Sequence, residues 1–249
     1  MYSEILSRTR NLQQLVYQGW LQWTVNVAQP FAARHPFVMA VPTLVQTGSI
    51  PVDLLDKMPS TLRHLQFRRI YGHYHDLLDV IKRNDNLEIL NLFELGDITS
   101  IRLETIVDLP IAQSLKVLRI RHLSQNIVFI DHGAMISKVL PHLSSLVTFT
   151  FEVASVTDEP FFSTFVRCRN IHHFKFGYCD KVTKEGLSML VRHGELRTLE
   201  FMPSLPIDLE ILNAIIAGNP HLSLLLLPRE CVSDALQSQL PYITPHYQY

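Results

Sequence analysis

The chain has 249 residues, of which 47% are hydrophobic, and its formal net charge is −1 at pH 7. This length can bury a sizeable core in one large or two small domains. A charge this close to zero gives no general attraction to nucleic acid or to an anionic membrane, so we expect neither as a partner.

The amino terminus and the cysteine content predict where the protein resides. The segment 1–14, MYSEILSRTRNLQQ, has an early glutamate and no long apolar run, so no signal peptide is expected. No apolar stretch approaches the roughly 18–20 residues that a membrane span needs. Three cysteines and the absence of an N-x-Ser/Thr acceptor fit a reducing compartment. We therefore expect the protein in the cytoplasm or the nucleus.

One seven-residue window recurs along the chain, with apolar residues at its second, fifth and seventh letters. In chain order the windows are NLQQLVY (11–17), TLRHLQF (61–67), NLEILNL (86–92), SLKVLRI (114–120), SLVTFTF (145–151), NIHHFKF (170–176), ELRTLEF (195–201) and HLSLLLL (221–227). Their first apolar residues are 50, 25, 28, 31, 25, 25 and 26 positions apart. The gap of 50 is two periods, which predicts a degenerate repeat near 37–42. Periods in this range with a short strand signature are typical of leucine-rich repeats.

Segments with helical spacing separate the strand windows. Apolar residues three or four apart predict helices over 75–84, 133–142, 158–168, 183–194 and 208–219. Thr183 and Asp208 are suited to cap two of these helices. One strand and one helix per period predict an α/β fold, a leucine-rich-repeat solenoid of about eight or nine repeats. Its parallel strands line the concave face and its helices the convex face.

We expect a single leucine-rich-repeat domain over 1–249. Irregular amino-terminal repeats occupy 11–50, regular repeats 61–227, and a carboxy-terminal cap and tail 228–249. Within the last segment, PYITPHYQY (241–249) is too rich in proline to continue a helix. It is expected to fold over the final repeat, and a role as a partner-binding peptide is the alternative.

The two tryptophans of the chain are candidates for a functional site. Trp20 and Trp23 are expected to cover the amino-terminal edge of the solenoid, and an interface anchor is the alternative.

Cys179 lies eight residues after the first apolar position of its repeat, where a small buried side chain suits a crowded turn. The same slot holds Trp20, Ile70, Leu95, Leu123 and Ala154 in other repeats. Cys179 is therefore predicted to be structural, since the adjacent Asp180 would raise its pKa and make it less reactive.

The run CRNIHHFKFGYCDKVTKEGLSML (168–190) resembles the cysteine-containing class of leucine-rich repeats, whose repeats are ribonuclease-inhibitor-like. The most specific part is Cys-x-x-Val-Thr-x-x-Gly-Leu, from Cys179 to Leu187. This class is found chiefly in eukaryotic F-box proteins, where the repeats hold the substrate of a cullin-based ubiquitin ligase, the SCF complex. The resemblance therefore implies a substrate-recognition protein of the F-box/LRR type in ubiquitin-dependent protein degradation.

The sequence departs from that family at its amino terminus. F-box proteins carry a helical module before the repeats, whereas here the repeats are predicted to begin at residue 11, which leaves no room for it. Either the chain is truncated relative to its relatives, or it binds targets without recruiting a ligase. A cullin adaptor is expected as a partner only if an F-box lies outside this chain.

No enzyme motif is present. The chain lacks GxSxG, P-loop, GxGxxG and HExxH patterns. Twelve histidines suggest a metal site, and the best clusters are His73-x-His75 and His172-His173. Zinc needs three or four convergent ligands, which neither cluster supplies. We therefore predict no catalytic residue, no cofactor and no metal site.

The third, fifth and seventh positions of each strand window, counted from its first apolar residue, are predicted to project from the concave sheet. Arg121 should then face Glu152, and Lys175 should face Glu200, as solvated cross-strand ion pairs. Arg119 is left without an acid on the neighbouring strand, beside apolar and aromatic residues of the kind enriched at interfaces. The predicted partner-binding residues on this face are Arg68, Ile89, Phe93, Arg119, Arg121, His173 and Lys175.

The sequence thus predicts a non-enzymatic module, acting as a monomer, that binds another protein through its concave sheet. By resemblance, the process served is substrate selection for ubiquitin-dependent degradation. The alternative is a repeat scaffold or an inhibitor-like binding protein with no link to a ubiquitin ligase.

Overall fold

A computed structural model describes residues 14–18, 62–68, 74–93, 102–122, 132–153, 156, 158–179, 181–202, 205–228 and 243–246. These residues belong to two compact units, Met1–His122 (unit 1) and Leu123–Tyr249 (unit 2). The degenerate repeat predicted near 37–42 and the predicted cap formed by Trp20 and Trp23 lie outside the described residues. The single domain over 1–249 and its three segments stay a prediction.

Unit 1 contains a parallel sheet. Its described strands are β1 (Gln14–Gln18), β2 (His64–Arg68), β3 (Ile89–Phe93) and β4 (Val117–His122). Its described helices are α1 (Tyr74–Lys82), a 3-10 helix (Leu103–Ile106) and α2 (Ile111–Ser114). Each strand pairs with the next in register, so that Leu65, Leu90 and Leu118 lie side by side.

Unit 2 repeats the same arrangement. Its described strands are β5 (Thr148–Val153), β6 (His173–Gly177), β7 (Thr198–Phe201), β8 (Leu224–Pro228) and β9 (Ile243–His246). Its described α-helices are α3 (His132–Ser137), α4 (Asp158–Phe165), α5 (Lys184–Ser188) and α6 (Leu209–Gly218). Two 3-10 helices, Leu140–His142 and Met189–Arg192, follow α3 and α5. Strand β9 comes from the predicted tail and runs parallel to β8.

The strand windows form strands because the apolar residues at their fifth and seventh letters fall on one side of the sheet, while the apolar residue at the second letter precedes the strand. Successive side chains in a strand point to opposite faces, so alternate residues are buried together. The residues with no exposed surface include Leu62, Leu65, Phe67, Leu87, Leu90, Leu92, Leu115, Leu118 and Ile120. Each such side chain contributes about 1.5–3 kcal/mol of stability through burial. The register and this repeated burial make the fold an α/β leucine-rich-repeat solenoid.

An aromatic cluster forms the core of unit 2. Phenylalanine occupies most of the core-facing positions of β5 and β6 and the inner side of α4. Its fully buried members are Phe149, Phe151, Phe161, Phe162, Phe165, Phe174 and Phe176. The rings of Phe165 and Phe174 are 4.0 Å apart and those of Phe161 and Phe176 are 5.5 Å apart between centroids. Such pairs add about 0.5–1.5 kcal/mol each beyond their burial, so helix α4 is held firmly on the sheet.

The two predicted helix caps are present. The Thr183 hydroxyl accepts a hydrogen bond from the N–H of Gly186 at 3.2 Å, and an Asp208 carboxylate oxygen accepts one from Ile211 at 2.9 Å. Asp158, from the preceding repeat, in turn accepts from the backbone N–H and the hydroxyl of Thr183. The start of α5 is therefore fixed both by its own cap and by its neighbouring repeat.

Buried polar residues join several repeats to the one before them. They lie three positions before the first apolar residue of a strand window, and the described examples include Asn84, His193 and Asn219. Asn84 Oδ1 accepts a hydrogen bond from the N–H of Leu62 at 2.9 Å, and Asn219 Nδ2 donates one to the carbonyl of Leu190 at 3.0 Å. A buried backbone group left unpaired would cost about 1–3 kcal/mol, so these amides stabilise the stacking of repeats.

The described helices differ in two respects from the predicted ones. The 3-10 helix Leu103–Ile106 and α2 (Ile111–Ser114) were not predicted. The segment 183–194 was predicted as one helix, but α5 ends at Ser188 and continues as the 3-10 helix Met189–Arg192. The segment 133–142 is divided in the same way. Among the residues that the structure describes, no helix has the length and the apolar character that crossing a membrane requires.

Candidate protein-binding surface

The residues of β2, β3 and β4 that alternate with the buried ones share one face of unit 1, which we call the unit 1 sheet face. The strand register arranges them in three rows. The rows are His64, Ile89 and Val117, then Gln66, Asn91 and Arg119, then Arg68, Phe93 and Arg121. The backbone of Arg68 lies in β2, but its side chain lies outside the described part of the chain, so its role stays a prediction.

Apolar and cationic groups are partly exposed together on the unit 1 sheet face. Ile89, Phe93, Val117, Arg119 and Arg121 each keep part of their surface accessible to solvent. The register places Val117 beside Ile89 and Arg121 beside Phe93. The face therefore offers a cation with apolar side chains around it.

The middle row is less exposed than the sequence predicted. Gln66 and Asn91 are only 6% and 2% exposed, although they lie on the predicted face. They are polar side chains that hydrogen-bond sideways to their neighbours along the row, instead of projecting outward. Asn91 Nδ2 donates to Gln66 Oε1 at 3.2 Å and lies 3.0 Å from His64 Nε2. Arg119 Nη1 donates to Asn91 Oδ1 at 3.3 Å.

Arg119 is held by an uncharged partner. Among the described residues, no aspartate or glutamate forms an ion pair with its guanidinium. Burial without a counter-charge lowers its pKa, because removal from water disfavours the charged form. The pKa of nearby His64 is lowered to about 4 by burial and by the charge of Arg119, so this imidazole is neutral at pH 7.

Lys175, on the sheet of unit 2, has the opposite environment. Its Nζ lies 2.7 Å from Glu200 Oε1, in the predicted cross-strand pair, and 3.2 Å from Glu152 Oε1. Burial disfavours the ammonium, but the hydrogen bonds and charges of Glu200 and Glu152 outweigh it and raise the pKa of Lys175. The predicted pair of Arg121 with Glu152 stays a prediction.

The predicted histidine sites are engaged in ordinary hydrogen bonds. His173 is exposed and its Nδ1 lies 3.0 Å from Thr198 Oγ1, while His172 Nδ1 lies 3.1 Å from the carbonyl of Glu195. Burial, together with the charges of His172 and Arg197, lowers the pKa of His173. Within the described ranges, no group of three or more His, Cys, Asp or Glu residues could hold a metal ion. His73 lies outside the described ranges, and of His75 only the backbone is described.

Cys179 is packed as predicted. It has no exposed surface, and its Sγ donates to the carbonyls of Val153 at 3.0 Å and Gly177 at 3.2 Å. Cys168 is also buried, and burial raises the pKa of its thiol to about 11. Neither thiol has the exposure of a reactive cysteine, and the raised pKa of Cys168 further disfavours its thiolate. The residues that share the Cys179 slot in other repeats lie outside the described part of the chain.

Comparison with known proteins gives little beyond this geometry. No protein-family model matches the chain, and no curated protein matches it. One similar solved structure is internalin C2 of Listeria monocytogenes, which is 14% identical with a TM-score of 0.39. The match covers 79% of this chain and 84% of that one. The fold assignment rests on the strand register and the burial pattern of the chain itself.

Proposed function

We propose that this chain is a non-enzymatic protein-recognition module and that a partner protein binds the unit 1 sheet face. The observation that carries the proposal is Arg119, a half-buried guanidinium with no ion pair among the described residues. It lies beside partly exposed apolar side chains, among them Ile89, Val117 and Phe93. Arginine and aromatic residues in such surroundings are enriched among the residues that dominate binding energy.

A charge that has already lost much of its hydration favours association. Ordinary surface cations must be dehydrated when a partner covers them, and this cost offsets the attraction. Arg119 has paid part of that cost on folding, because burial and the hydrogen bond to Asn91 already hold it in place. A partner therefore gains more from contact with Arg119 than from contact with a fully hydrated side chain.

The test is a charge reversal with a matched control. Arg119→Glu should weaken a complex by about 2 kcal/mol or more if Arg119 dominates the interface. Lys82→Glu makes the same change of charge on α1, in the same unit, at a side chain that is 42% exposed. Partners captured from source-cell extract are quantified with wild-type protein and both variants, after thermal unfolding shows that all three are folded. Equal capture by wild type and Arg119→Glu would contradict the proposal.

For the biological process, we propose substrate selection in ubiquitin-dependent degradation, in the cytoplasm or the nucleus, with the chain as a monomer. The support is the resemblance of Cys179–Leu187 to the repeats of F-box proteins. The alternative is a repeat scaffold or an inhibitor-like protein with no ligase link.

The presence or absence of an in-frame F-box in the transcript separates these two possibilities, and co-purification tests the chain itself. The 249-residue chain should not retain the small adaptor that joins F-box proteins to the cullin, because no F-box is recognised in its sequence. A transcript that encodes an in-frame F-box would favour the ligase role. Stable stoichiometric binding of the adaptor by the chain itself would instead show that another segment replaces the F-box.

A further inference from the structure

We propose that the group recognised by the unit 1 sheet face is a carboxylate of the partner protein, an aspartate or glutamate side chain with an apolar residue next to it. We further propose that Asn91 is the positioning residue that holds Arg119 ready for this carboxylate. Both statements rest on the proposed function and deepen it, because they name the chemical class of the ligand and the residue that selects it.

The hydrogen bonds around Asn91 have only one consistent direction. Arg119 can only donate, so the atom of Asn91 that it contacts is the oxygen Oδ1. The nitrogen Nδ2 must then face Gln66 Oε1 and His64 Nε2, and both can accept as long as the imidazole is neutral. A flipped amide would put Nδ2 against the guanidinium and Oδ1 against the Gln66 oxygen. Because Asn91 is buried, water cannot relieve either conflict.

The amide positions Arg119 without neutralising it. One oxygen of Asn91 satisfies one N–H of the guanidinium, which leaves further N–H donors and the whole positive charge for another group. An aspartate at this place would have nearly the same shape and would form an internal ion pair. On the other unit the cross-strand neighbour of Lys175 is Glu200, and there the charge is compensated within the protein. The neutral neighbour of Arg119 therefore leaves its charge available to a ligand.

The surroundings of Arg119 select a carboxylate attached to an apolar segment. Ile89 and Val117 lie in the row on one side of it, and Phe93 lies in the row on the other side. Apolar walls strengthen the attraction between the guanidinium and an anion, because they exclude water. They also reward an apolar residue next to the acid, whereas a hydrophilic acidic tract would leave them uncovered. The charge and its frame are thus complementary to an acidic residue beside an apolar one.

The experiment uses the full-length protein and an array of synthetic peptides in matched sets. Each set contains one sequence with an apolar residue beside Glu, the same sequence with Gln, and the same sequence with phosphoserine. Wild-type protein should retain a subset of the Glu peptides at least tenfold more strongly than their Gln counterparts. Arg119→Glu should abolish this preference.

Asn91→Asp is the decisive variant. The introduced carboxylate should pair with Arg119 and reduce the Glu-over-Gln preference to near one, while thermal unfolding shows that the protein stays folded. Asn91→Ala is the matched control, since it removes the oxygen but adds no charge. It should retain a weakened preference for Glu. A loss of packing alone would weaken the Glu and Gln peptides equally and would leave their ratio unchanged.

The outcomes separate this inference from the proposed function. If binding depends on Arg119 but is equal for the Glu and Gln peptides, the proposal that a carboxylate is recognised is wrong, and the proposed binding surface still stands. A preference for phosphoserine over Glu would contradict the carboxylate proposal in the same way. An unchanged Glu preference in Asn91→Asp would overturn the positioning role. Retention of no acidic peptide, or equal retention by wild type and Arg119→Glu, would overturn the inference, and only the extract experiment decides the wider proposal.

Discussion

His193 should make the folded state of this protein sensitive to acid. Its side chain is fully buried in unit 2, with the ring 5.1 Å from that of Phe165. Nε2 lies 3.1 Å from the carbonyl of Cys168, which can only accept, so Nε2 carries the proton of the neutral ring. Among the described residues Nδ1 has no hydrogen-bond partner, and a second proton there would be buried without an acceptor.

The direction of the pH effect follows from the lowered pKa of His193. Burial lowers this pKa from 6.5 to about 4, against the Cys168 hydrogen bond, and the charges of Arg169 and His172 lower it further while Glu195 opposes them. The unfolded chain therefore binds a proton below pH 6.5 that the folded chain does not bind until about pH 4. The contribution of His193 to the free energy of unfolding is therefore fully present above pH 6.5 and is lost as the pH drops through this window. At pH 5 this contribution is about 2 kcal/mol smaller than at pH 8.

His193→Asn isolates this effect. Asn219 occupies the same position in another repeat and donates to the preceding repeat through Nδ2, so an asparagine is expected to keep the bond to Cys168. The free energy of unfolding is measured in urea by circular dichroism at pH 8 and pH 5 for wild type, for His193→Asn and for the exposed control His142→Asn. The loss between the two pH values should be about 2 kcal/mol smaller in His193→Asn than in the other two. Equal losses in all three proteins would refute the reasoning, because other histidines would then cause the acid sensitivity.

Three further substitutions, at two positions, test the packing of unit 2 by urea unfolding. Cys179→Ala should cost about 1 kcal/mol through lost burial, and Cys179→Asp should cost far more because it buries a charge. Rapid labelling of the native Cys179 thiol by a bulky alkylating reagent would contradict its packed position. Gly177→Ala should cost about 1–3 kcal/mol, since the new Cβ would lie 2.1 Å from Cβ of Met202 and one of the two strands must move. An unchanged unfolding midpoint for Gly177→Ala would show that β6 and β7 separate easily.

The strands could be predicted from the sequence because their determinant is local. The pattern of apolar residues within each seven-residue window indicates which side chains face the core. The parallel register follows because every window carries the same pattern. The helix types could not be predicted in this way. In 183–194 the apolar residues are three or four positions apart, which fits one face of an α-helix and of a 3-10 helix alike. The spacing does not indicate where the division at Ser188 falls, and contacts with other repeats, such as the close approach of Gly218 in α6 to the carbonyl of Val191, are not part of the local pattern.

The exposure of the candidate surface was harder to predict than its position. Alternation places Gln66 and Asn91 on the correct face, but it cannot show that they bond to each other along the row and so become buried. The second partner of Lys175 was missed for a related reason. Glu152 lies opposite Gly177 in the register, one alternate position further along the strand, and only a long side chain reaches diagonally across. Gln66, Asn91 and Arg119 occupy the same position in three successive strand windows, and this is the sequence signal that could have indicated the polar network.

Arg119 and Lys175 occupy the same position in their repeats, but Arg119 is suited to binding and Lys175 to stabilising the fold. The difference lies in the strand next to each of them, where Arg119 has the amide of Asn91 and Lys175 has the carboxylate of Glu200. Removing Lys175 would leave Glu200 and the buried Glu152 without this cation, so its substitution should act mainly on stability. Removing the charge of Arg119 breaks no ion pair among the described residues. A cation whose neighbour in the register is neutral is therefore the better candidate for binding, and the proposed function depends on Arg119 for that reason.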